Sequence, residues 1–535
     1  MKMTTLVQGL GLAAVFAVGG CKSLDITNPN DPDGPRALAD PAAIEAVAGG
    51  SVRIWINTFE AMNAGGPLVT QARTYSASWN NFNMNFYSSV DNPGTQAAPN
   101  PVSTWVRNTR PWQNDPSAAA RTSIETYWEG YYSALGLANS VLKAIRINGL
   151  VINTPADTKR AETVAVLMQG AALSGLALNY DKGYILDENS DLGALTYSNR
   201  KELRDAARAA FDAAIALANA NTFTTPAGWA NGPTYTNVQI SKIANTMAAW
   251  LLANYPRDAT EAASIDWNAV LTYASNGMSA GTPFDFVFFG DGCAAWCAEI
   301  LYWFNGVDTG RISTRVAKMM STSQVDPYPV GGNPQPTTGN SPDKRLGDGS
   351  FGTAAMIPGF GNVPKTANGG TDFMWSSQEI FNQARGFYHQ SNIGHVRYDL
   401  TGQQSPSGIY GGNGPSPVFS AGQNDLLWAE ALIETNTNLA LAATKINNTR
   451  VTRGGLAPAA AGDGQAGLRT KLRYEQEIEL LGLGAASYYL QRRIANGLLA
   501  GTPREMPVPA KELGVFAQPL YTWGGTGAAN SPTPP

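Results

Sequence analysis

Apolar residues recur at steps of three and four through most of this chain, and two long stretches break the pattern. Asp40 precedes Pro41 and a run carrying Ile44, Val47, Val52 and Trp55. Asp40 therefore caps a helix with proline at its first position, where no backbone N–H is needed. Gly65-Gly66-Pro67 is expected to interrupt it. From Thr122, the residues Ile124, Tyr127, Trp128, Tyr131, Leu135, Ala138, Leu142 and Ile145 form one wide apolar stripe. A second helix of this series covers 155–180. A third opens with Asn199 as cap and Glu202 three residues on, a capping-box pattern, and buries Leu203, Ala207, Ala210, Ala214 and Leu217. A fourth covers 238–254, and a fifth starts near Trp267. Later, Asp425 to Thr435 carries Leu427, Trp428, Ala431 and Leu432. Asn438 caps the next helix, which closes with Arg450 and Arg453 near its negative pole and Gly454-Gly455 as the stop. Residues 468–499 hold one or two more helices.

Between these helices, residues 70–116 turn to Asn, Ser, Pro and aromatics, and residues 282–417 lose the period again. Loops this long inside a compact protein are usually functional or disordered. Paired helices of similar size with short turns predict a mostly α fold. Its tetratricopeptide-like hairpins stack into a superhelical scaffold, with long irregular regions and few short strands. The expected divisions are an N-terminal helical region 41–281 with the excursion 70–116, a loop-rich ligand-binding region 282–417, a C-terminal helical region 418–523 and a flexible tail 524–535.

The N-terminus changes the cellular picture. Lys2 is followed by an uncharged stretch from Thr4 to Gly20, which reads as a signal peptide over 1–20. Val18-Gly19-Gly20-Cys21 resembles a bacterial lipobox, so Cys21 is expected to be lipidated and to anchor an extended leader, 21–40, to a membrane. No second apolar run is expected to cross a bilayer.

Charged residues make up 15% of the 535 and the net charge is −4, which leaves no basic stripe for a phosphate backbone. Nucleic acid is not an expected partner. Two histidines and three cysteines offer little for a metal, and neither metal nor cofactor is expected. With Cys21 lipidated, Cys293 and Cys297 are an even pair in an oxidising compartment and are expected to form a disulfide.

The irregular stretches hold the candidate chemistry. Trp79, Asn80, Asn81, Phe82, Asn83, Asn85 and Tyr87 mix flat aromatics with amides. Sugars present apolar C–H faces and neutral hydroxyls, which such a mixture suits. Asp291, Trp296, Tyr302, Trp303 and Asn305 cluster near Cys293 and Cys297. The expected ligand contacts are Trp79, Asn81, Asn83, Tyr87, Trp296 and Trp303, with Trp79 and Trp303 stacking. Asp291, Glu299 and Asp308 provide the carboxylates that glycoside hydrolysis would need, and no nucleophile elbow, phosphate loop or zinc signature accompanies them. His389 and His395 read as structural. A binder rather than an enzyme is expected.

Several segments together resemble the SusD/RagB family of outer-membrane nutrient-binding lipoproteins. The mature start CKSLDITNPNDPD is similar to that family's lipidated leader. YWEGYYSALGLANSVLKAI and QGAALSGLALNYDKGYI resemble its early helices, and NDLLWAEALIETNTNLALAATKINNTRVTRGGL its late helical hairpin. PREMPVPAKEL followed by YTWGG resembles its Pro-rich close. In the penultimate helix Glu479, Gly484, Leu490 and Arg492 fit the family pattern, while Leu483, Ala486 and Tyr489 replace charged positions. The resemblance implies a surface lipoprotein of the outer membrane that captures oligosaccharides and hands them to a SusC-like TonB-dependent transporter. A peptide-binding RagB-like protein is the alternative within the family, and a secreted glycoside hydrolase the alternative outside it.

Overall fold

The computed structural model describes residues 39–76, 80–88, 109–281, 283–304, 310–326, 340–350, 368–375, 390–398, 413–525 and 529–530. The signal peptide, Cys21, most of the leader, Trp79, Asn305, Asp308 and His389 lie outside the described residues.

The chain is mostly helical. α1 (Pro41–Phe59) starts as its sequence dictates, with the Asp40 carboxylate accepting from the Ala42 N–H. Its end differs from expectation. The helix stops at Glu60, and Gly65, Gly66 and Pro67 lie inside a new helix, α2 (Met62–Gln71), rather than breaking one. Pro67 is the sixth residue of that helix and forgoes the bond an N–H there would make to the Asn63 carbonyl. The glycines are there for proximity, since a Cβ on Gly65 would lie 2.7 Å from Ile300.

The stack proper follows. α3 (Thr122–Leu142), α4 (Pro155–Asn179), α5 (Arg200–Ala220), α6 (Asn237–Asn254) and α7 (Trp267–Asn276) each pack on the next. α1 packs on α3 and α4. The Asn199–Glu202 capping box forms, and Thr236 with Gln239 makes another on α6. α4 is apolar on all sides because helices surround it, and by length and composition it could cross a membrane. That corrects the expectation of no second such run; here every residue of its apolar window is buried in the fold, as in a core helix. Its small residues set the spacing: a Cβ on Gly175 would lie 2.5 Å from the Tyr131 ring, and one on Gly170 2.8 Å from Phe211.

The C-terminal part continues the stack through α9 (Ala421–Glu434), α10 (Leu439–Arg450) and α11 (Gly464–Glu479), with α9 against α7. α9 starts a turn earlier than Asp425, capped by Ser420 and Gln423. Arg453 does not serve the α10 dipole, because its guanidinium reaches across to Asp372 and Glu479. Gly482 and Gly484, both at positive φ, separate α11 from α12 (Ala486–Arg492). At the tail, Gly525 N–H donates to Gly501 and Arg504 N–H to Asn530, so the described tail residues are pinned.

The irregular stretches carry more order than their pattern suggests. β1 (Tyr75–Ser76) pairs antiparallel with β3 (Arg311–Ile312), which ties residues 70–116 to residues 282–417. β2 (Phe286–Asp291) pairs with β6 (Asn413–Phe419), and β4 (Phe373–Trp375) with β5 (Ile393–His395). Pro415 and Pro417 inside β6 hid that strand, although a two-stranded sheet leaves an unpaired edge for residues without an N–H. Under these segments lies a second core containing Met62, Tyr75, Ile300, Phe304, Ile312, Phe373 and Ile393.

Candidate functional site

The two irregular regions converge. Tyr75 stacks on Phe304 with ring centroids 4.4 Å apart, and the Phe82 ring lies 5.5 Å from that of Trp303. α8 (Glu299–Phe304) buries Ile300, Leu301 and Phe304, leaving Tyr302 and Trp303 partly exposed on its other side. Tyr302 stands 5.2 Å from Trp303, nearly edge-on. Phe82 completes a platform of three partly exposed rings, with Asn80 and Asn81 exposed beside it.

Side-chain hydrogen bonds hold the Asn-rich segment in a strained backbone conformation. Phe82 and Asn83 both have positive φ, 58° and 59°. A phenylalanine in that region is costly, and such residues persist only where surrounding contacts over-determine them. The contacts are visible: the Asn80 side chain accepts from Phe86 N–H, and Asn83 Nδ2 donates to Thr122 Oγ1 and Ser123 Oγ.

The expected contact residues divide accordingly. Trp303 and Asn81 sit at the platform, while the Asn83 amide faces α3 as an anchor. Tyr87, expected as a contact, is instead buried: it is 1% exposed, packed edge-on against Trp112, and its hydroxyl donates to Ala120 O and accepts from Gln113 N–H. Burial raises its phenol well above the ordinary value.

Cys293 and Cys297 are joined by a disulfide. Asp291 organises the loop they close, its carboxylate accepting from Ala294, Ala295 and Trp296 N–H groups. Asn57 on α1 clasps the loop, donating to Ala295 O and accepting from Cys297 N–H. Asp291 is thus spent on backbone, and Glu299 accepts from Met62 N–H at the start of α2. Burial raises the Glu299 carboxyl above its usual range. Both carboxylates have structural employment.

Trp296 lies elsewhere than Trp303. With Trp229 it lines a cleft of ≈ 710 Å³ along one face of α1, beside Glu45, Gly49 and Arg53. Nothing in the sequence marks Trp229, which stands without an adjacent aromatic in PAGWANG, at the end of a 3-10 turn (Ala227–Trp229) between α5 and α6. A Cβ on Gly49 would meet that indole at 2.5 Å, so the glycine admits the ring. The expected structural histidine, His395, is buried at the inner edge of the region, its Nδ1 3.0 Å from the Tyr75 hydroxyl. Burial, against the opposing pull of Asp372, lowers it to about 3, so it is neutral near pH 7.

No family model matches the chain, and no curated protein sequence matches it. Solved structures do. A SusD superfamily protein from Parabacteroides distasonis matches with a TM-score of 0.56 at 10% identity, over 88% of this chain and 96% of that one. One from Bacteroides thetaiotaomicron matches with a TM-score of 0.53 at 11% identity, over 87% and 90%. A protein from Bacteroides fragilis described as a SusD-like carbohydrate binding protein matches with a TM-score of 0.52 at 13% identity, over 85% and 86%. At these identities the likeness is one of fold, and the chain has the SusD-type fold.

Proposed function

We propose that this chain is a glycan-binding lipoprotein of the bacterial outer membrane and that it binds through the platform of Phe82, Tyr302 and Trp303. The observation that carries the proposal is the convergence of those partly exposed rings with the exposed amides of Asn80 and Asn81. Flat rings supply contact area for the C–H face of a sugar, and an amide both donates to and accepts from hydroxyls. The SusD-type fold and the carbohydrate binding ascribed to the Bacteroides fragilis neighbour support the ligand class. Lipidation at Cys21 and delivery to a SusC-like TonB-dependent transporter belong to the same proposal, resting on the lipobox-like Val18–Cys21 and the resemblance of the leader.

Binding without turnover is favoured because Asp291 and Glu299 both hold backbone N–H groups. The test is a glycan and peptide array probed with the mature protein, followed by calorimetry on the best neutral glycan. Trp303→Ala should cost about 2 kcal/mol or more of binding, as stacked anchors do. Its melting temperature should move far less than the ~3–5 kcal/mol loss of a core tryptophan would require. Unchanged glycan affinity, or binding of peptides alone, would remove the platform from the proposal. Release of Cys21→Ser into the soluble fraction tests the anchor, and retention in washed membranes counts against it.

A further inference from the structure

A second cavity lies well away from the platform in the chain. Four cationic side chains line it, Arg200, Lys201, Arg204 and Arg208, against three carboxylates, Asp205, Glu261 and Asp266; its volume is ≈ 430 Å³. Such a volume lies within the range of small-molecule sites. Arg200, Arg204 and Arg208 follow one another at four-residue steps on α5, so they share one face of that helix. Tyr255, just beyond the last residue of α6, completes the wall. Its ring has the guanidinium carbon of Arg200 4.9 Å from its centroid and that of Arg204 4.6 Å from it.

The carboxylates of the cavity are already engaged. Asp205 accepts from Lys201 and Arg204, Glu261 accepts from Arg200 and from the Arg257 N–H, and Asp266 caps α7 at Ala269. Three donors are left without a hydrogen bond, one of which, Arg200 Nε, lies 3.5 Å from the Glu505 carboxylate. Arg200 is 1% exposed and its Nη1 has no hydrogen-bond partner among the described residues. Tyr255 is 8% exposed and its hydroxyl has none either. Buried donors left unpaired are costly, and the two residues that carry them, Arg200 and Tyr255, both line this arginine-rimmed cavity, where an acceptor from outside the chain would relieve that cost.

We infer that this cavity is an oxyanion site, accepting a carboxylate or sulfate group between Arg200, Arg204 and the Tyr255 hydroxyl. Arg204 Nε and Nη2 are held by Asp205 and Arg200 Nη2 by Glu261, so each guanidinium offers its remaining Nη1 group as a single charge-assisted donor, which favours an anionic oxygen over an uncharged hydroxyl. The site is separate from the glycan platform and stands whether or not the platform binds sugars. Arg208, tied to the Tyr273 hydroxyl at 3.0 Å, orients the outer rim.

Calorimetry on the mature full-length protein tests it, with inorganic sulfate and glucuronate as probes, glucose as the uncharged control and sodium chloride to match ionic strength. Sulfate and glucuronate should bind and glucose should not. Binding of glucuronate alone would assign the site to carboxylates on sugars, and binding of sulfate alone to the free ion or sulfate esters; either outcome upholds an oxyanion site. Arg204→Gln should weaken binding roughly tenfold or more, the loss expected for a charge-assisted hydrogen bond. Tyr255→Phe should also weaken it while leaving the melting temperature equal or higher, because it deletes an unpaired buried hydroxyl. Trp303→Ala should leave sulfate binding intact, which separates this site from the platform. No heat with either anion, or affinities unchanged in both Arg204→Gln and Tyr255→Phe, would overturn the assignment and leave water as the occupant.

Discussion

The helical stack and the loop-bearing side of this molecule are held together by different physics. α3 to α7 are joined by apolar contact, with close approaches at Gly170 and Gly175 and rings such as Trp128 and Tyr180 packed edge to face at 5.1 Å. The stack also holds buried ion pairs, Arg200–Glu261 and Arg257–Glu505, but the loop-bearing side has a smaller apolar core and a wider buried ionic network beside it. Arg345, itself fully buried, donates to Asp343, Glu475 and Glu479, while Arg397 and Arg453 converge on Glu479 and Asp372. Burial alone would raise the Glu479 carboxyl, but Arg397, Arg453 and Arg345 hold it well below its ordinary value. Three separate loop segments, around 343–345, 372 and 397, are thereby fastened to one face of α11. In these irregular segments charge pairing does the positioning that periodic packing does in the stack.

The largest effect should come from breaking that network. Arg345→Met leaves Asp343, Glu475 and Glu479 without their shared cation, and uncompensated buried charge costs about 3–5 kcal/mol. Urea unfolding of the variant should show this loss. A loss below that of an ordinary surface substitution would mean that the loop side does not depend on the network.

Two buried groups, one on each side, should also answer pH in opposite senses. His395, on the loop side, has its pKa lowered from 6.5 to about 3. The unfolded chain then binds a proton that the folded chain refuses, so stability is full above the unfolded value and falls as pH drops through that window. The slope is roughly 1.4 kcal/mol per pH unit at most. Asp181, beside the C-terminal end of α4, is raised by burial and by Glu505 to about 7. There the folded chain keeps a proton that the unfolded chain releases, so stability falls as pH rises from the usual aspartate range to about 7. His395→Gln should flatten the acid limb and Asp181→Asn the neutral one, read as unfolding free energy against pH. Parallel curves for wild type and His395→Gln would exclude the histidine as the acid-sensitive element.

This contrast explains what could be read from the sequence. Helices α3 to α7 and α10 follow from apolar steps and from caps such as Asn199 and Asn438, because each depends on residues within a turn or two. The platform was partly legible, since Trp303 and Asn81 lie in aromatic–amide clusters visible along the chain. Tyr87 in the same cluster turned inward, because a hydroxyl that finds Ala120 O can be buried at little cost. Nothing local announced Trp229 in its turn, the proline-bearing strand β6, or a network joining Asp343 to Glu475 across more than a hundred residues. Those depend on partners brought together only by folding.

Within the stack, overpacking should cost less than breaking the network. Gly175→Ala drives a methyl into the Tyr131 ring, whose nearest atoms would lie 2.5 Å away. Repacking around such an insertion costs about 1–3 kcal/mol. Thermal unfolding should show this with unchanged binding at the platform, since α4 lies under α3 rather than under Trp303. A variant as stable as wild type would mean that the two helices separate without strain.

The smallest effect should follow from removing the disulfide. Cys293 and Cys297 are four residues apart, so their bond closes a short loop and its entropic contribution is about 2 kcal/mol or less. The same loop is held twice more, by Asp291 accepting from Ala294, Ala295 and Trp296 and by the reciprocal clasp of Asn57. Cys293→Ser with Cys297→Ser should therefore lower the urea midpoint by less than Gly175→Ala does, and Trp296 fluorescence should keep its folded position. A loss approaching that of Arg345→Met would show that the loop side relies on its covalent staple more than on its charges. It would then have to be described as a stapled side facing a packed one.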